Sequence, residues 1–266
     1  MPSLFDDPAF SANVFYPRKD TRPAPPGALD VLIQVESDVR LHARVHPAPE
    51  PRAALVLFHG NGEVVSDYDR HAWLFAEAGA RLAVIDYRGY GRSEGTPSLR
   101  STVFDARKAL DGIAPHLTRD GRPLPILVMG RSLGSLCAAE LTRSLPPVAA
   151  GFILESGFTD LLAFARRRGV HLEVMTEDDL AVLCPLRKLA ASSAPLLVLH
   201  GEKDTLIVAD EARAAFAASS ATDKKLVIVP GLGHNTLSLH PLYWSELAAF
   251  VERATQTDQN DIILHR

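Results

Sequence analysis

A serine stands between two glycines in the stretch LVMGRSLGS, residues 127–135. The glycines are Gly130 and Gly134, and the serine is Ser132. In a very sharp strand-to-helix turn, side chains two positions before and after the serine would collide, so this spacing predicts a bend that exposes the hydroxyl. Such a hydroxyl is a candidate nucleophile, but it needs a base, because an unassisted serine is hardly ionised at neutral pH.

A base and an acid follow later in the chain. Asp204 comes after the apolar run PLLVLHG, and His234 comes after the run KKLVIVPG. The order serine, acid, histidine, with each residue after a strand, is typical of one class of catalytic triad. We expect His234 to take the proton from Ser132 and Asp204 to hold the imidazole in one tautomer. Glu155 or Asp160, after an earlier run, could instead supply the acid.

Two main-chain N–H groups are candidates to stabilise a developing oxyanion. Leu133 follows the serine at the start of a predicted helix, where backbone N–H groups are unpaired. Asn61 follows Gly60 in the loop FHGNGE, and Gly60 lets the chain turn there with little steric cost. We expect Asn61 and Leu133 to donate these two N–H groups, with His59 bracing the loop. Losing one such donor typically costs about 10²–10³ in rate.

These candidates need strands that end at one edge of a sheet. Eight apolar runs have strand length, at 28–35, 40–46, 54–60, 81–87, 125–130, 149–155, 195–201 and 224–231. The first two alternate apolar with polar residues, as half-exposed antiparallel strands do, whereas the later runs are continuous, as strands covered on both faces are. Helical patterns lie between the later runs, at 66–78, 101–111, 133–144, 208–220 and 242–254. This alternation predicts an α/β fold, with a mostly parallel eight-stranded sheet and helices on both faces.

The boundaries of the fold can also be predicted. The length of 266 residues suits a single domain, and the proline-rich stretch PRKDTRPAPPG predicts that residues 1–27 form an extended N-terminal arm. In the helix at 66–78, Ser66 is the expected N-cap and Gly79 the expected stop. Residues 156–193 separate two sheet strands by far more than a normal connection, so they form either a short cap over the site or a long crossover.

Composition argues against several classes of partner. The net charge of −4 gives no reason to expect nucleic acid as a partner. The sequence contains no run of 18 or more apolar residues, so no membrane-spanning helix is expected. The N-terminal stretch MPSLFDDPAF lacks the apolar segment of a signal peptide, so a cytoplasmic location is expected. Cys137 and Cys184 have no metal-ligand spacing and are expected to be free thiols, and no metal is predicted. The sequence leaves the oligomeric state open.

Five stretches together resemble α/β-hydrolase-fold serine hydrolases: FHGNGE, DYRGYGRSEGTPS, MGRSLGS, LHGEKDTLI and PGLGHN. They are similar in particular to a compact branch with esterase-like and protein-depalmitoylating thioesterase members. The resemblance implies that Ser132, Asp204 and His234 act without metal or cofactor on a small-molecule or acyl substrate. Haloalkane dehalogenases and epoxide hydrolases resemble this fold but have aspartate where this chain has Ser132. The cysteine-rich tail of the depalmitoylating members has no counterpart here, so acylated membrane proteins are not implied as substrates.

The sequence therefore predicts a hydrolase that cleaves a carboxylic ester or thioester through an acyl-serine intermediate. An acyltransferase or a peptidase could use the same three residues. A binding protein could keep the fold without activity, because fold alone does not establish function. Nucleotide binding is not expected, because the glycines of DYRGYGRSEG do not have G-x-G-x-x-G spacing.

Overall fold

The computed structural model describes residues 5, 8–143, 149–160, 163, 166 and 176–264, with residues 257–264 described by their backbone alone. The strands in these ranges are β1 (Leu29–Glu36), β2 (Val39–Val45), β3 (Ala53–Phe58), β4 (Ala80–Ile85), β5 (Thr118–Arg119), β6 (Arg122–Pro123), β7 (Ile126–Arg131), β8 (Ala149–Glu155), β9 (Leu196–Gly201) and β10 (Lys224–Val229). The α-helices are α1 (Pro8–Val14), α2 (Ala72–Glu77), α3 (Leu99–Ile113), α4 (Ser135–Arg143), α5 (Glu177–Leu183), α6 (Pro185–Ala190), α7 (Ala209–Ala218) and α8 (Pro241–Leu264).

Eight strands form one sheet in the order β1-β2-β4-β3-β7-β8-β9-β10, and β5 and β6 form a separate ribbon. The pairs β1–β2 and β2–β4 are antiparallel, and the strands from β4 to β10 pair in parallel. The predicted eight-stranded, mostly parallel sheet is confirmed. Strands β3 and β9 are buried at every residue, as their continuous apolar runs require.

Helices cover both faces of the sheet, as predicted. Side chains alternate between the two faces along a strand, so β3 directs Ala54, Val56 and Phe58 into one apolar cluster and Leu55 and Leu57 into the other. Helices α2 and α8 contribute to the second cluster, whereas α1 and α3 to α7 contribute to the first. Parallel strands that are covered in this way all end at one edge, where ligand sites of α/β sheets form.

The helix predicted at 66–78 is interrupted. Residues Val65–Tyr68 form a 3₁₀ turn, and α2 begins only at Ala72. The Ser66 N-cap prediction was wrong, because its hydroxyl donates a hydrogen bond to Asp20 (2.6 Å) instead of capping a helix. Gly79 follows the C-cap of α2 with a φ of +90°, so the predicted stop is confirmed.

The N-terminal arm is not extended throughout. Residues Pro8–Val14 form α1, which corrects the extended arm predicted for 1–27. Proline is favoured in the first turn of a helix, and Phe10 and Val14 share a face at i, i+4 spacing. Both are buried, together with Phe15, in the larger apolar cluster. The arm is therefore anchored to the fold and brings Tyr16 to the edge of the sheet where the strands end.

The long insertion at 156–193 is partly a crossover layer. Its helices α5 and α6 pack against α3, α4 and α7 on one face of the sheet. Residues 161–162, 164–165 and 167–175 lie outside the described residues, and a cap there stays a prediction. Within the described ranges, no helix combines the length and apolarity that crossing a bilayer would require.

A buried histidine beside β2 is expected to make stability depend on pH. Burial lowers the pKa of His46 from 6.5 to about 4, although Asp69 lies 3.8 Å away. Between these values the unfolded chain binds a proton that the native chain does not, so stability falls as pH falls from 6.5 towards 4. The full effect is about 3 kcal/mol. In chemical denaturation at several pH values, His46→Gln should flatten this slope. Equal slopes in both proteins would contradict the prediction.

Candidate active site

The serine between the two glycines lies on a strained turn after β7. Ser132 has a φ of +50°, a region that non-glycine residues rarely adopt. A Cβ atom at Gly130 would overlap the carbonyl oxygen of Gly134, and one at Gly134 would overlap the carbonyl oxygen of Phe58 in β3. The two glycines therefore let the turn pack against itself and against the neighbouring strand, with Ser132 between β7 and α4.

Ser132, His234 and Asp204 form a continuous hydrogen-bonded chain. The Ser132 Oγ lies 3.0 Å from His234 Nε2, and His234 Nδ1 lies 2.8 Å from Asp204 Oδ2. Ser132 follows β7, Asp204 follows β9 and His234 follows β10, so the ends of three strands bring these side chains together. With a hydrogen on Nδ1, the neutral ring presents an acceptor lone pair at Nε2 to the serine hydroxyl. This arrangement can remove a proton from Ser132.

Asp204 is buried and held as an anion. One carboxylate oxygen accepts hydrogen bonds from the backbone N–H groups of Leu206 (2.9 Å) and Ile207 (2.8 Å), and the other faces His234. Burial opposes the charge, but the hydrogen bonds from His234 and the Ile207 amide outweigh it and lower the pKa of Asp204 below its ordinary value. The carboxylate therefore stays ionised at neutral pH and can stabilise a charged imidazole.

The loop after β3 borders the same site. The Asn61 side chain accepts a hydrogen bond from Tyr90 Oη (2.6 Å) and donates one to the carbonyl oxygen of Val14 (2.6 Å). The His59 ring lies 2.8 Å from the carbonyl oxygen of Gly60 through Nδ1. Because the Gly60–Asn61 peptide is planar, a donor on its carbonyl fixes the direction of the Asn61 N–H. The side chains around this loop thus hold the peptide that carries the predicted donor.

A cavity of about 480 Å³ opens above the serine. Its wall includes both predicted donor residues, Asn61 and Leu133, together with Ser132 and His234. The other residues that line it were not predicted from the sequence: Val14, Tyr16, Glu63, Arg131, Phe158, Leu206, Ile207 and Asn235. Two of them, Arg131 and Asn235, are direct neighbours in sequence of predicted residues, but nothing in the sequence indicated which way those side chains point.

The two alternative acids lie elsewhere. Glu155 accepts a hydrogen bond from Tyr243 Oη (2.8 Å) and faces Arg131 at 3.2 Å, and Asp160 Oδ1 accepts one from the Ala163 N–H. Asp204 is the carboxylate that the structure brings to His234. In the described ranges, no group of three or more histidine, cysteine, aspartate or glutamate side chains has an arrangement that could hold a metal ion.

The fold and this geometry define the class of protein. The protein has an eight-stranded, mostly parallel sheet and a serine on a strained turn after a central strand, and these features define an α/β hydrolase. The chain belongs to the α/β-hydrolase family described as serine aminopeptidase, S33 (Hydrolase_4), which matches residues 49–177 and 180–238. The resemblance stated from the sequence motifs is confirmed at the level of this superfamily.

Relatives and solved structures agree with this assignment. The uncharacterized protein Rv2307c of Mycobacterium tuberculosis is 31% identical over 214 residues, which are 79% of this chain and 73% of that protein. Lysophosphatidylserine lipase ABHD12 of Macaca fascicularis is 31% identical over 201 residues, 67% of this chain and 49% of that protein. The Pyrococcus furiosus esterase Pf2001 superposes with a TM-score of 0.72 at 17% identity, covering 90% of this chain and 99% of the esterase. At that identity the superposition demonstrates a shared fold.

Proposed function

We propose that this α/β hydrolase cleaves a carboxylic ester or thioester through an acyl-serine intermediate. The observation that carries the proposal is the hydrogen-bonded series from Ser132 through His234 to Asp204, of which Ser132 and His234 line the cavity. A nucleophile, a base and a buried carboxylate that orients the base are the groups that acyl transfer needs. Two similar proteins, the esterase Pf2001 and lysophosphatidylserine lipase ABHD12, are named for action on esters, which also supports the proposal.

The proposed reaction has two halves. His234 Nε2 takes the proton from Ser132 as Oγ attacks the carbonyl carbon, and Asp204 stabilises the imidazolium that forms. The N–H groups of Asn61 and Leu133 stabilise the tetrahedral oxyanion. His234 then returns the proton to the leaving oxygen or sulfur, and the acyl group stays on the serine. In the second half, water loses a proton to His234 and attacks the acyl group, and His234 then gives that proton to Ser132 Oγ as the carboxylic acid leaves.

The cavity walls suggest the kind of substrate. Leu133, Phe158, Leu206 and Ile207 supply apolar surface beside the serine, whereas Glu63 lies on the polar part of the wall. Such an apolar surface beside the nucleophile suits the acyl part of a small ester. We therefore propose a small-molecule substrate. The cytoplasmic location expected from the sequence stays a prediction.

The experiment that tests the proposal is covalent labelling. A fluorophosphonate probe should label the protein, and Ser132→Ala should abolish labelling because it removes the nucleophile. Ser245→Ala replaces an exposed serine on α8 and should leave labelling unchanged. A panel of p-nitrophenyl esters should be hydrolysed by the wild type and by the control. Labelling that persists in Ser132→Ala would refute the assignment, and a wild type without labelling or turnover would favour a binding protein.

The family description raises aminopeptidase activity as a second candidate. An aminopeptidase must bind the free ammonium of its substrate, normally with a carboxylate near the scissile bond. In this cavity the wall carboxylate is Glu63, which is already paired with Arg131 and accepts hydrogen bonds from Tyr68 Oη (2.7 Å) and the Gly60 N–H (2.8 Å). This observation favours esters. Hydrolysis of amino-acid p-nitroanilides would identify an aminopeptidase, whereas an esterase should not cleave them. An acyltransferase is distinguished by transfer of the acyl group to an added alcohol in preference to water.

A further inference from the structure

Arg131 occupies a central place beside the nucleophile that the proposed reaction leaves unused. It lies between Gly130 and Ser132, yet its side chain is 12% exposed and extends between two loops and the end of β8. Its Nη2 donates to Asn235 Oδ1 (2.8 Å), its Nε faces Glu155 Oε1 (3.2 Å) and its Nη1 is paired with Glu63 Oε1. We name Arg131 and its three partners Glu63, Glu155 and Asn235 the Arg131 bridge.

Two partners in the Arg131 bridge belong to loops that carry catalytic groups. Asn235 follows His234 directly, and Arg131 Nη2 also lies 3.5 Å from the His234 carbonyl oxygen. Glu63 closes the loop after β3, because its second carboxylate oxygen accepts a hydrogen bond from the Gly60 N–H (2.8 Å). One guanidinium therefore links the loop of the base to the loop of the predicted oxyanion donor.

The third partner anchors the bridge to the body of the protein. Glu155 ends β8 and accepts a hydrogen bond from Tyr243 Oη of α8 (2.8 Å). Burial opposes the charge of Arg131, but the carboxylates of Glu63 and Glu155 outweigh it and raise the pKa of the guanidinium above its ordinary value. The side chain thus stays charged. Without it, two carboxylates in a poorly hydrated region would lack a counter-charge.

Arginine suits this position for a geometric reason. Its planar group presents five donors in a rigid fork, so a single side chain can serve acceptors in three directions. A lysine ammonium can neutralise a carboxylate but cannot span the same acceptors. Catalytic groups must be held within about 0.5 Å of their productive geometry, and here they lie on loops from different strands.

We propose that Arg131 is a positioning residue that holds the loops of His234 and Asn61 in their correct positions relative to Ser132. The proposal rests on the proposed serine hydrolase function for its rate measurements. Arg131 touches no reacting atom in this scheme, and it acts through Asn235 on the base and through Glu63 on the oxyanion loop. Loss of the Arg131 bridge should therefore affect the chemical step more than substrate binding.

Steady-state kinetics on a p-nitrophenyl ester test the proposal. Arg131→Met should lower kcat by about 10²-fold with little change in KM, since a displacement of about 1 Å costs that much. Asn235→Ala removes one charge-assisted hydrogen bond and should lower kcat about tenfold. Arg131→Lys should regain thermal stability but not kcat. A lysine variant with wild-type kcat would show that charge alone is needed, and would overturn the positioning role.

A matched control separates positioning from general stability. Arg88 is 13% exposed and is paired with Glu36 and Asp105 away from the cavity. Arg88→Met should lower the melting temperature while kcat per folded molecule stays at the wild-type value. If Arg131→Met does not fold, Asn235→Ala and Arg131→Lys carry the test. Wild-type kcat in either folded variant would overturn the proposal.

Two further measurements report on the two loops. The rate on a carbonyl ester, divided by the rate on the same ester with sulfur in place of its carbonyl oxygen, reports on the oxyanion donors. This ratio should fall in Arg131→Met but not in Arg88→Met. The far-downfield proton resonance of the Asp204–His234 hydrogen bond reports on the base without requiring turnover. It should be lost or shifted in Arg131→Met and kept in Arg88→Met. If the wild type proves inactive, the proposed function fails, and this resonance alone decides whether Arg131 positions His234.

Discussion

Changing Asp204 to asparagine is expected to lower kcat for ester hydrolysis by about 10⁴-fold without unfolding the protein. The Leu206 and Ile207 N–H groups donate to one carboxylate oxygen, so they fix the carbonyl oxygen of the new amide at that place. The amide nitrogen then faces His234 Nδ1 and donates to it. The ring hydrogen moves to Nε2 and points at the Ser132 hydroxyl, and a donor at that position cannot accept the serine proton.

Asp160→Asn is the matched control for this prediction. Asp160 is the other aspartate that the sequence offered as the acid, and its Oδ1 accepts a hydrogen bond from the Ala163 N–H. The same change of carboxylate to amide should leave kcat unchanged there. Kinetics on one ester, with melting temperatures for both variants, check the pair. Equal losses of kcat in the two variants, or a fully active Asp204→Asn protein, would show that Asp204 does not orient the base.

The sequence was informative where chemistry and local pattern coincide. Continuous apolar runs predicted the six parallel strands, because strands buried on both faces have almost no polar positions, and alternating runs predicted the two antiparallel ones. Ser132, Asp204 and His234 were chosen because they follow the chain order serine, acid, histidine and because each lies after a predicted strand. The structure brings these three side chains together within hydrogen-bonding distance. Their roles in catalysis stay predictions, and labelling tests Ser132 whereas the kinetics of Asp204→Asn test the acid.

Local pattern was less informative at the N-terminus. The proline-rich stretch after residue 16 led to the prediction of an extended arm, but residues Pro8–Val14 form a helix. The signal for that helix was present, since Pro8 suits the first turn and Phe10 and Val14 are four residues apart. What the sequence could not give is the contact that matters for the site. The carbonyl oxygen of Val14 accepts from the Asn61 side chain, 47 positions later in the chain.

The Arg131 bridge illustrates a general limit of reading one sequence. Arg131 stands inside the G-x-S-x-G motif at the position that the motif leaves open, and Asn235 follows the base. Each looks ordinary in its own loop. Their contact joins residues 104 positions apart and depends on the packing of strands β7 and β10 in the sheet. Such a link can be recognised only once the relative positions of the strands are known.

Gly134→Ala is expected to disrupt the turn itself. Its new Cβ would overlap the carbonyl oxygen of Phe58, which belongs to the backbone of the central strand β3 and cannot turn away. We expect unfolding free energy to fall by about 3 kcal/mol and the melting temperature by about 6–12 °C. The turn must move to relieve the overlap, and Ser132 moves with it. A shift of about 1 Å there should lower kcat by at least about 10²-fold.

Gly121→Ala separates steric overlap from backbone strain in this prediction. Gly121 has a φ of +74° in the β5–β6 ribbon, and a Cβ there would meet nothing within 4 Å. Its substitution should cost about 1 kcal/mol through the left-handed backbone alone and leave kcat unchanged. Gly134 presents the opposite case, because its cost comes from the neighbouring strand. Thermal melts and ester assays check the prediction. Wild-type stability and kcat in Gly134→Ala would show that the turn can accommodate a Cβ atom, and that the position of the serine does not depend on this glycine.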